Sequence, residues 1–278
     1  MSNSYDGLPP ISDFIRRHGI SALKSLGQNF IMDMNLTDRI ARAVPHLSDS
    51  AVVEVGSGPG ALTRALLKNG ARKVIAVEFD KRATGILYEI QKHYGADRLE
   101  IIQGDALRIN YAEIAGREGG KISIAANLPY NISVALLIEW LNIMARIDSM
   151  TLMFQKEVGR RIAARERSKD YSRLSILAQV MARPKILFEV ARTNFVPPPK
   201  VTSCVVQLLA RADMPDIAVL ELLEEIVKAA FSERRKMLRT TLGFMGEAAL
   251  AAAGINPTQR AEEISPERFL KLAQLEIK

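Results

Sequence analysis

The chain has 278 residues, of which 48% are apolar and 25% are charged, and its net charge is +7 at neutral pH. This length supports a large core and predicts one main domain with a smaller one. No segment reaches the roughly 18 apolar residues of a membrane span, and the N-terminal MSNSYDGLPPISDF lacks a secretory-signal pattern. The single cysteine, Cys204, excludes an internal disulfide and lies in an apolar run typical of a core strand. These features predict a soluble cytoplasmic protein without membrane association.

The first half of the chain alternates short apolar strands with amphipathic helical patterns. This arrangement is typical of an α/β fold with a parallel sheet covered on both faces. The predicted strands are AVVEV (51–55), KVIAVE (73–78), LEIIQ (99–103), KISIAA (121–126) and SMTLMFQ (149–155). Two further predicted strands, ILFEVA (186–191) and VTSCVVQLL (201–209), are joined by RTNFVPPPK. This proline-rich connection contains no helix, so it predicts an antiparallel last strand pair.

Helical spacing alone continues from about residue 212 to the C-terminus. Ser232 and Ser265 are predicted N-caps of helices in this region, and Gly254 is a predicted helix stop. The sequence therefore predicts a mostly parallel α/β domain over residues 1–211 and a small all-α domain over residues 212–278.

The positive charge is concentrated in the second half of the chain. Residues 155–175, 183–200 and 231–241 carry net charges of +4, +3 and +3, so the rest of the chain is slightly acidic. Any one of these windows is equally compatible with a solvated helix face, but three together favour contacts with a nucleic-acid backbone. The residues predicted to contact RNA are Arg160, Arg161, Arg165, Lys200, Arg234, Arg235, Lys236 and Arg239.

A glycine-rich loop, EVGSGPGALT, follows the first predicted strand. Gly56 and Gly58 allow a tight turn and a close approach of the backbone to a ligand. The loop also satisfies the G-x-G-x-x-A form of a dinucleotide site, which leaves a nicotinamide-dependent oxidoreductase as an alternative. Glu78 ends the next strand, where a carboxylate can accept from both ribose hydroxyls, and Asp105 follows the third strand, where it can accept from an adenine amine. These positions predict a pocket for an adenosine-bearing cofactor.

The fourth predicted strand ends in NLPY, residues 127–130. The side-chain oxygen of Asn127 and the carbonyl of Leu128 can accept two hydrogen bonds from the exocyclic amine of a nucleobase, which directs its lone pair toward an electrophile. Pro129 fixes the backbone and removes a competing donor, and Tyr130 offers a stacking face. No metal is required for this chemistry. The stretch therefore predicts a binding site for a flat aromatic amine.

Five segments resemble one family in the same order along nearly the whole chain. They are SLGQNFIMD (25–33), EVGSGPGALT, NLPYNIS, FVPPPKVTS (195–203) and FSERRKMLRTTL (231–242). The chain resembles the ribosomal RNA adenine N6,N6-dimethyltransferases of the kasugamycin-sensitivity type. This resemblance implies a Rossmann-like class I fold dependent on S-adenosylmethionine, with a helical C-terminal domain that orients the enzyme on ribosomal RNA.

The resemblance also assigns roles to individual residues. It implies that Gln28, Asn29 and Ile31 line the cofactor site, together with Gly56, Gly58, Glu78, Asp105 and Asn127. It further implies that Phe195 stacks on the target adenine, on the face opposite to Tyr130. The implied activity is dimethylation of two adjacent adenosines in the small-subunit (16S) rRNA of a pre-30S particle, by a monomer that needs no metal.

Two alternatives remain beside this reading and the oxidoreductase. The large-subunit (23S) rRNA methyltransferases of the erythromycin-resistance type share the sheet and the NLPY clamp, which consists of the two acceptors of Asn127 and Leu128 and the ring of Tyr130. An assembly factor that acts on the ribosome mainly by binding is the other.

Overall fold

The computed structural model describes residues 5–277, so residues 1–4 and 278, which the sequence analysis assigned to the two domains, lie outside the described residues. The chain divides into two compact units. One comprises the chain up to Lys156 together with Ile186–Gln207, and the other comprises Glu157–Lys185 together with the chain from Leu208 onward. The second unit thus includes residues 157–185 and 208–211, which were predicted to belong to the first domain.

The described part of the chain contains nine strands and twelve α-helices. The strands are β1 (Phe30–Ile31), β2 (Ala51–Val55), β3 (Lys73–Glu78), β4 (Leu99–Gln103), β5 (Ile122–Asn127), β6 (Ile147–Gln155), β7 (Ala182–Val190), β8 (Phe195–Val196) and β9 (Ser203–Ala210). The helices are α1 (Ile11–Arg17), α2 (Met34–Arg42), α3 (Ala61–Lys68), α4 (Lys81–Tyr94), α5 (Tyr111–Arg117), α6 (Ser133–Asn142), α7 (Lys156–Ile162), α8 (Arg173–Met181), α9 (Ile217–Ala230), α10 (Leu238–Thr241), α11 (Glu247–Ala252) and α12 (Pro266–Glu276). Among them, no helix is both long and apolar enough to cross a bilayer.

The central sheet has seven strands in the order β4-β3-β2-β5-β6-β9-β7. Strands β2 to β6 pair in parallel, and all five residues of β2 are buried, as expected for a strand covered on both faces. The chain winds outward from β2 in one direction and from β5 in the other, so the switch point lies between these strands. Open α/β sheets bind their ligands at the carboxyl end of such a point.

The seven strands predicted from the sequence are all present, with bounds shifted by a few residues at most. Strands β7 and β9 are neighbours in the sheet, as predicted for a pair joined without a helix. The short strands β1 and β8 were not predicted. They pair antiparallel in a separate ladder, with Phe30 opposite Val196 and Ile31 opposite Phe195.

In the second unit, α8, α9 and α12 pack around a shared apolar core. Phe231 lies between the rings of Tyr171 and Phe269, with centroids 6.2 and 6.4 Å away. Ser265 is the N-cap residue of α12, as predicted, and α11 ends shortly before Gly254, which has a φ of +76°. The prediction for Ser232 was wrong. Its hydroxyl donates to the carbonyl of Ala229 in a turn after α9, and the next helix, α10, begins only at Leu238.

A buried ion pair fastens the N-terminal segment to α3. The guanidinium of Arg64 contacts the carboxylate of Asp6, with Nε donating to Oδ2 at 2.8 Å, and both side chains are at most 2% exposed. The hydroxyl of Tyr94 also donates to Asp6, at 2.8 Å. Burial alone would raise the pKa of Asp6, but the hydrogen bonds from Arg64 and Tyr94 hold it below its usual range.

We expect Asp6→Ala to lower the free energy of unfolding by about 3 kcal/mol, because it leaves the Arg64 guanidinium buried without its counter-charge. The Asp6 pKa is depressed on folding, so this stabilisation is present above the unfolded pKa and is lost as the pH falls through the folded one. Denaturant titration measures the effect. Asp13→Ala, which removes an exposed ion pair with Arg16, should cost less than about 1 kcal/mol. Equal losses in the two variants would contradict this prediction.

Candidate active site

A cavity opens at the carboxyl ends of β2, β3 and β5, beside the switch point of the sheet. Its volume is about 270 Å³, far above the roughly 10 to 15 Å³ that one water molecule requires, so it can hold an organic ligand. The cavity brings together the predicted cofactor residues, which are Gln28, Asn29, Ile31, Gly56, Gly58, Glu78, Asp105 and Asn127. It also brings in Leu128, Pro129 and Tyr130.

The glycine loop forms the floor of this cavity between β2 and α3. Gly56 has a φ of +73° and Gly58 a φ of +53°, a region that side chains rarely adopt. A Cβ on Gly58 would lie 3.4 Å from the ring of Phe30. At the start of α3, a Cβ on Gly60 would lie only 2.3 Å from the side chain of Ile90. The backbone conformation of Gly56 and Gly58, and the packing of Gly60 against Ile90, therefore require glycine in this loop.

Buried carboxylates stand at the ends of β2 and β3. Glu78 is 5% exposed and accepts from the backbone N–H groups of Gly58 at 2.6 Å and Asp80 at 2.8 Å. Burial raises the pKa of Glu78 above its ordinary range despite these two donors. Glu54 lies deeper, accepts from the hydroxyl of Thr63, and has a pKa that burial raises to about 7. These carboxylates can accept from the hydroxyls of a bound sugar.

Asp105 lies at the rim of the cavity, and its side chain is 42% exposed. One carboxylate oxygen accepts from the N–H of Leu107 at 3.0 Å and begins a short 3₁₀ helix. The predicted contact between Asp105 and an adenine amine is compatible with this position and stays a prediction.

The segment before β1 borders the opposite side of the cavity. Gln28 donates to the carboxylate of Asp80 at 3.1 Å, and its side-chain oxygen accepts from the N–H of Leu23 at 2.9 Å. Arg82 donates to the same Asp80 carboxylate and lowers its pKa to about 2. Two hydrogen bonds thus fix the side chain of Gln28, and the next residue, Asn29, also lines the cavity.

The NLPY turn is held in place by polar contacts at both ends. The side-chain amide of Asn127 donates from Nδ2 to the backbone carbonyl of Asn29 at 3.1 Å. This contact assigns the amide orientation and leaves Oδ1 without a hydrogen-bond partner among residues 5–277. At the other end, the hydroxyl of Tyr130 lies 2.6 Å from Oγ of Ser203, and Ser133 donates to the Tyr130 backbone carbonyl at 3.0 Å.

Phe195 does not reach the cavity in this structure. Its side chain is 2% exposed, it is not among the lining residues, and it lies opposite Ile31 in the β1–β8 ladder. The Phe195 ring packs in the hydrophobic core with Phe30 and Ile31. Its predicted stacking on a target base stays a prediction.

The predicted RNA-contacting residues are all exposed. Arg234 is engaged within its own unit, where it contacts Glu262 at 2.9 Å and donates to the carbonyl of Lys169 at 2.8 Å. Arg161 approaches Glu157 at 3.9 Å. The remaining six make no ion pair among the described residues; they are Arg160, Arg165, Lys200, Arg235, Lys236 and Arg239.

Several residues of the site were not identified from the sequence. Glu54 lies on an apolar strand, and its only signal was a charged residue within a buried run. Phe79 lines the cavity although it is 60% exposed, and it directly follows Glu78. Ser203 is a single serine after a proline-rich loop, and a pattern of this kind gives no sign that it contacts Tyr130.

Comparisons with known proteins agree with the geometry. The model of the family "Ribosomal RNA adenine dimethylase" matches residues 20–278. Curated relatives named "Ribosomal RNA small subunit methyltransferase A" include one from Mesorhizobium japonicum, 50% identical over 97% of this chain and 98% of its own length. Another, from Xanthobacter autotrophicus, is 51% identical over 98% of this chain and 95% of its own length.

Two solved structures are also similar. The 23S rRNA methyltransferase ErmE is 27% identical with a TM-score of 0.68, covering 90% of this chain and 100% of that chain. A dimethyladenosine transferase from Plasmodium falciparum is 26% identical with a TM-score of 0.73, covering 89% of this chain and 97% of that chain. The resemblance inferred from the five segments and the class I α/β fold are thereby confirmed, and the oxidoreductase alternative is wrong. The chain belongs to the ribosomal RNA adenine dimethylase family and is an S-adenosylmethionine-dependent methyltransferase of ribosomal RNA.

Proposed function

We propose that the protein dimethylates the exocyclic N6 amine of two adjacent adenosines in 16S rRNA within a pre-30S particle. The observation that carries this proposal is the orientation of Asn127, whose Nδ2 is held by the Asn29 carbonyl while Oδ1 is left to accept. The identity of about 50% to small-subunit relatives, against 27% to ErmE, favours the small subunit over the erythromycin-resistance type.

The cofactor fits the chemistry of the cavity. When bound, S-adenosylmethionine supplies an electrophilic methyl group on a sulfonium. Gly56 and Gly58 would border it, Glu78 would accept from its ribose hydroxyls and Asp105 from its adenine amine. Gln28, Asn29 and Ile31 close the opposite side.

The chain's own contribution to the reaction is positioning of the target amine. Oδ1 of Asn127 and the carbonyl of Leu128 accept the two N–H groups, so the nitrogen lone pair points toward the cofactor, and Tyr130 stacks on the base. The base must leave its stack, which costs a few kcal/mol and least in an RNA loop. Stacking on Tyr130, and on Phe195 if its ring leaves the core, offsets about 1 to 3 kcal/mol per base.

We further propose that the protein acts as a cytoplasmic monomer and needs no metal. A sulfonium cofactor would supply a methyl whose leaving group is a neutral thioether, and the methylated amine becomes acidic enough to lose its proton to water. Domain 212–278 is proposed to orient the enzyme on the particle through its basic segment.

The test is to incubate the protein with labelled cofactor and, in separate reactions, with small and large ribosomal subunits that lack the modification, and to map the product. We expect two adjacent N6,N6-dimethyladenosines in 16S rRNA. Label in 23S rRNA would favour the erythromycin-resistance type. Binding to the small subunit without label would favour the assembly-factor alternative.

We expect Glu78→Gln to weaken cofactor binding about tenfold, because the amide offers one acceptor oxygen where the carboxylate offers two. The raised pKa of Glu78 also predicts that wild-type affinity falls as the pH drops through that pKa, since a protonated carboxyl loses acceptor capacity. Calorimetric titration with cofactor from about pH 8 to about pH 5 measures both effects. The pH dependence should disappear in Glu78→Gln and persist in Glu54→Gln. The reverse result would assign the titration to Glu54 instead.

A further inference from the structure

The hydroxyl group of Tyr130 pairs with the hydroxyl group of Ser203. Its oxygen lies 2.6 Å from Oγ of Ser203, the first residue of β9, and Ser203 is completely buried. Neither hydroxyl has another hydrogen-bond partner among the described residues. Each group therefore satisfies the other, and removing the Tyr130 hydroxyl leaves the buried hydroxyl of Ser203 without a partner.

This contact fixes the outer end of the Tyr130 ring. The inner end is already held, because Ser133 donates to the Tyr130 carbonyl at 3.0 Å and the N–H of Ile132 donates to the carbonyl of Pro129 at 3.2 Å. The phenolic oxygen lies at the far end of the side chain on the long axis of the ring, so a hydrogen bond there fixes the direction in which the side chain extends from the NLPY turn. Burial raises the pKa of the Tyr130 phenol, which keeps its proton available for this bond.

We propose that Ser203 is a positioning residue for methyl transfer, which acts by holding the Tyr130 ring in the position that receives the target base. The inference rests on the proposed function, in which Tyr130 stacks on that base. The residue belongs to the proline-rich FVPPPKVTS segment, so the same segment that contains Phe195 also sets the Tyr130 face.

A purely structural serine would behave differently. Ser149 on β6 provides a matched comparison, because it is also buried and donates to a second hydroxyl, Oγ of Ser123, at 3.2 Å. It lies outside the cavity lining. Ser149→Ala therefore removes a similar bond from the same sheet without touching the NLPY turn.

The test is a double-mutant cycle in single-turnover methylation of small subunits, with Ser203→Ala measured in wild-type and in Tyr130→Phe protein. In the wild-type background we expect Ser203→Ala to lower the methylation rate about tenfold, because small displacements of a positioned reactant are costly. In the Tyr130→Phe background the same change should have less than about a twofold effect, since the phenol through which Ser203 acts is absent. The cofactor dissociation constant should be unchanged in every variant, and Ser149→Ala should keep the wild-type rate.

Two results would overturn the inference. One is a wild-type rate in Ser203→Ala protein that is folded by thermal melting. The other is an equal loss in both backgrounds, which would assign Ser203 a role independent of the phenol. The outcome for the proposed function is separate, because it depends on whether the wild-type protein produces dimethyladenosine at all.

Discussion

Asn127→Ala is expected to lower the rate of methyl transfer at least about a thousandfold, because it removes the acceptor that orients the target amine. The loss should fall mainly on the rate. Glu78, Gly56 and Gly58 are untouched, so cofactor affinity should change less than about tenfold. Single-turnover methylation with saturating cofactor measures the rate, and calorimetric titration measures the affinity.

The matched control for this variant is Asn110→Ala. Asn110 caps α5 by accepting from the N–H of Glu113 at 3.1 Å and lies outside the cavity lining. Its replacement should leave the methylation rate unchanged. A wild-type methylation rate in Asn127→Ala would refute the role of Asn127 as the acceptor. It would leave the proposed methylation of 16S rRNA untouched.

Replacing Arg235, Lys236 and Arg239 together with alanine is expected to weaken binding to small-subunit rRNA by about 10- to 100-fold at low salt. These three exposed cations make no ion pair among the described residues, so their charge is available for phosphates. Each phosphate contact contributes roughly 0.7 to 0.9 to the salt dependence of the binding constant, so the slope should fall by about 2 to 3. Filter binding or fluorescence anisotropy across a salt titration gives both quantities.

Arg234→Ala is the control within the same basic segment. Its guanidinium is already engaged by Glu262 and by the carbonyl of Lys169. We therefore expect Arg234→Ala to change the salt slope less than a single alanine substitution at Arg235, Lys236 or Arg239 does. It should also cause a greater loss of thermal stability. An unchanged slope in the triple variant would exclude this segment as a phosphate-binding surface.

The parts of the fold set by local patterns were predictable from the sequence. Strands β2 to β6 are apolar runs between amphipathic helices, and the glycines and Glu78 occur at their carboxyl ends, so the cavity followed from topology alone. The contacts that hold the clamp were not predictable. The bond from Asn127 to Asn29 joins residues 98 positions apart and uses a backbone carbonyl, which every residue possesses.

The errors have similar physical causes. Ser232 precedes acidic and basic residues in a pattern that resembles a helix start, but its hydroxyl bonds backward to Ala229 and the chain turns instead. Strands β1 and β8 are only two residues long and show no periodicity. Their pairing depends on a partner more than 160 residues away in the chain, opposite Phe30 and Ile31.

The β1–β8 ladder has a consequence for biosynthesis. Asn29 directly precedes one strand of the ladder, and Ser203 follows the other strand at the start of β9, so the two supports of the NLPY turn come from segments far apart in the chain. A nascent chain that has emerged only as far as β6 already contains the glycine loop and Glu78. It still lacks Ser203 and the strand that pairs with β1. About three quarters of the polypeptide must therefore have been synthesised before both contacts that hold the NLPY turn can form.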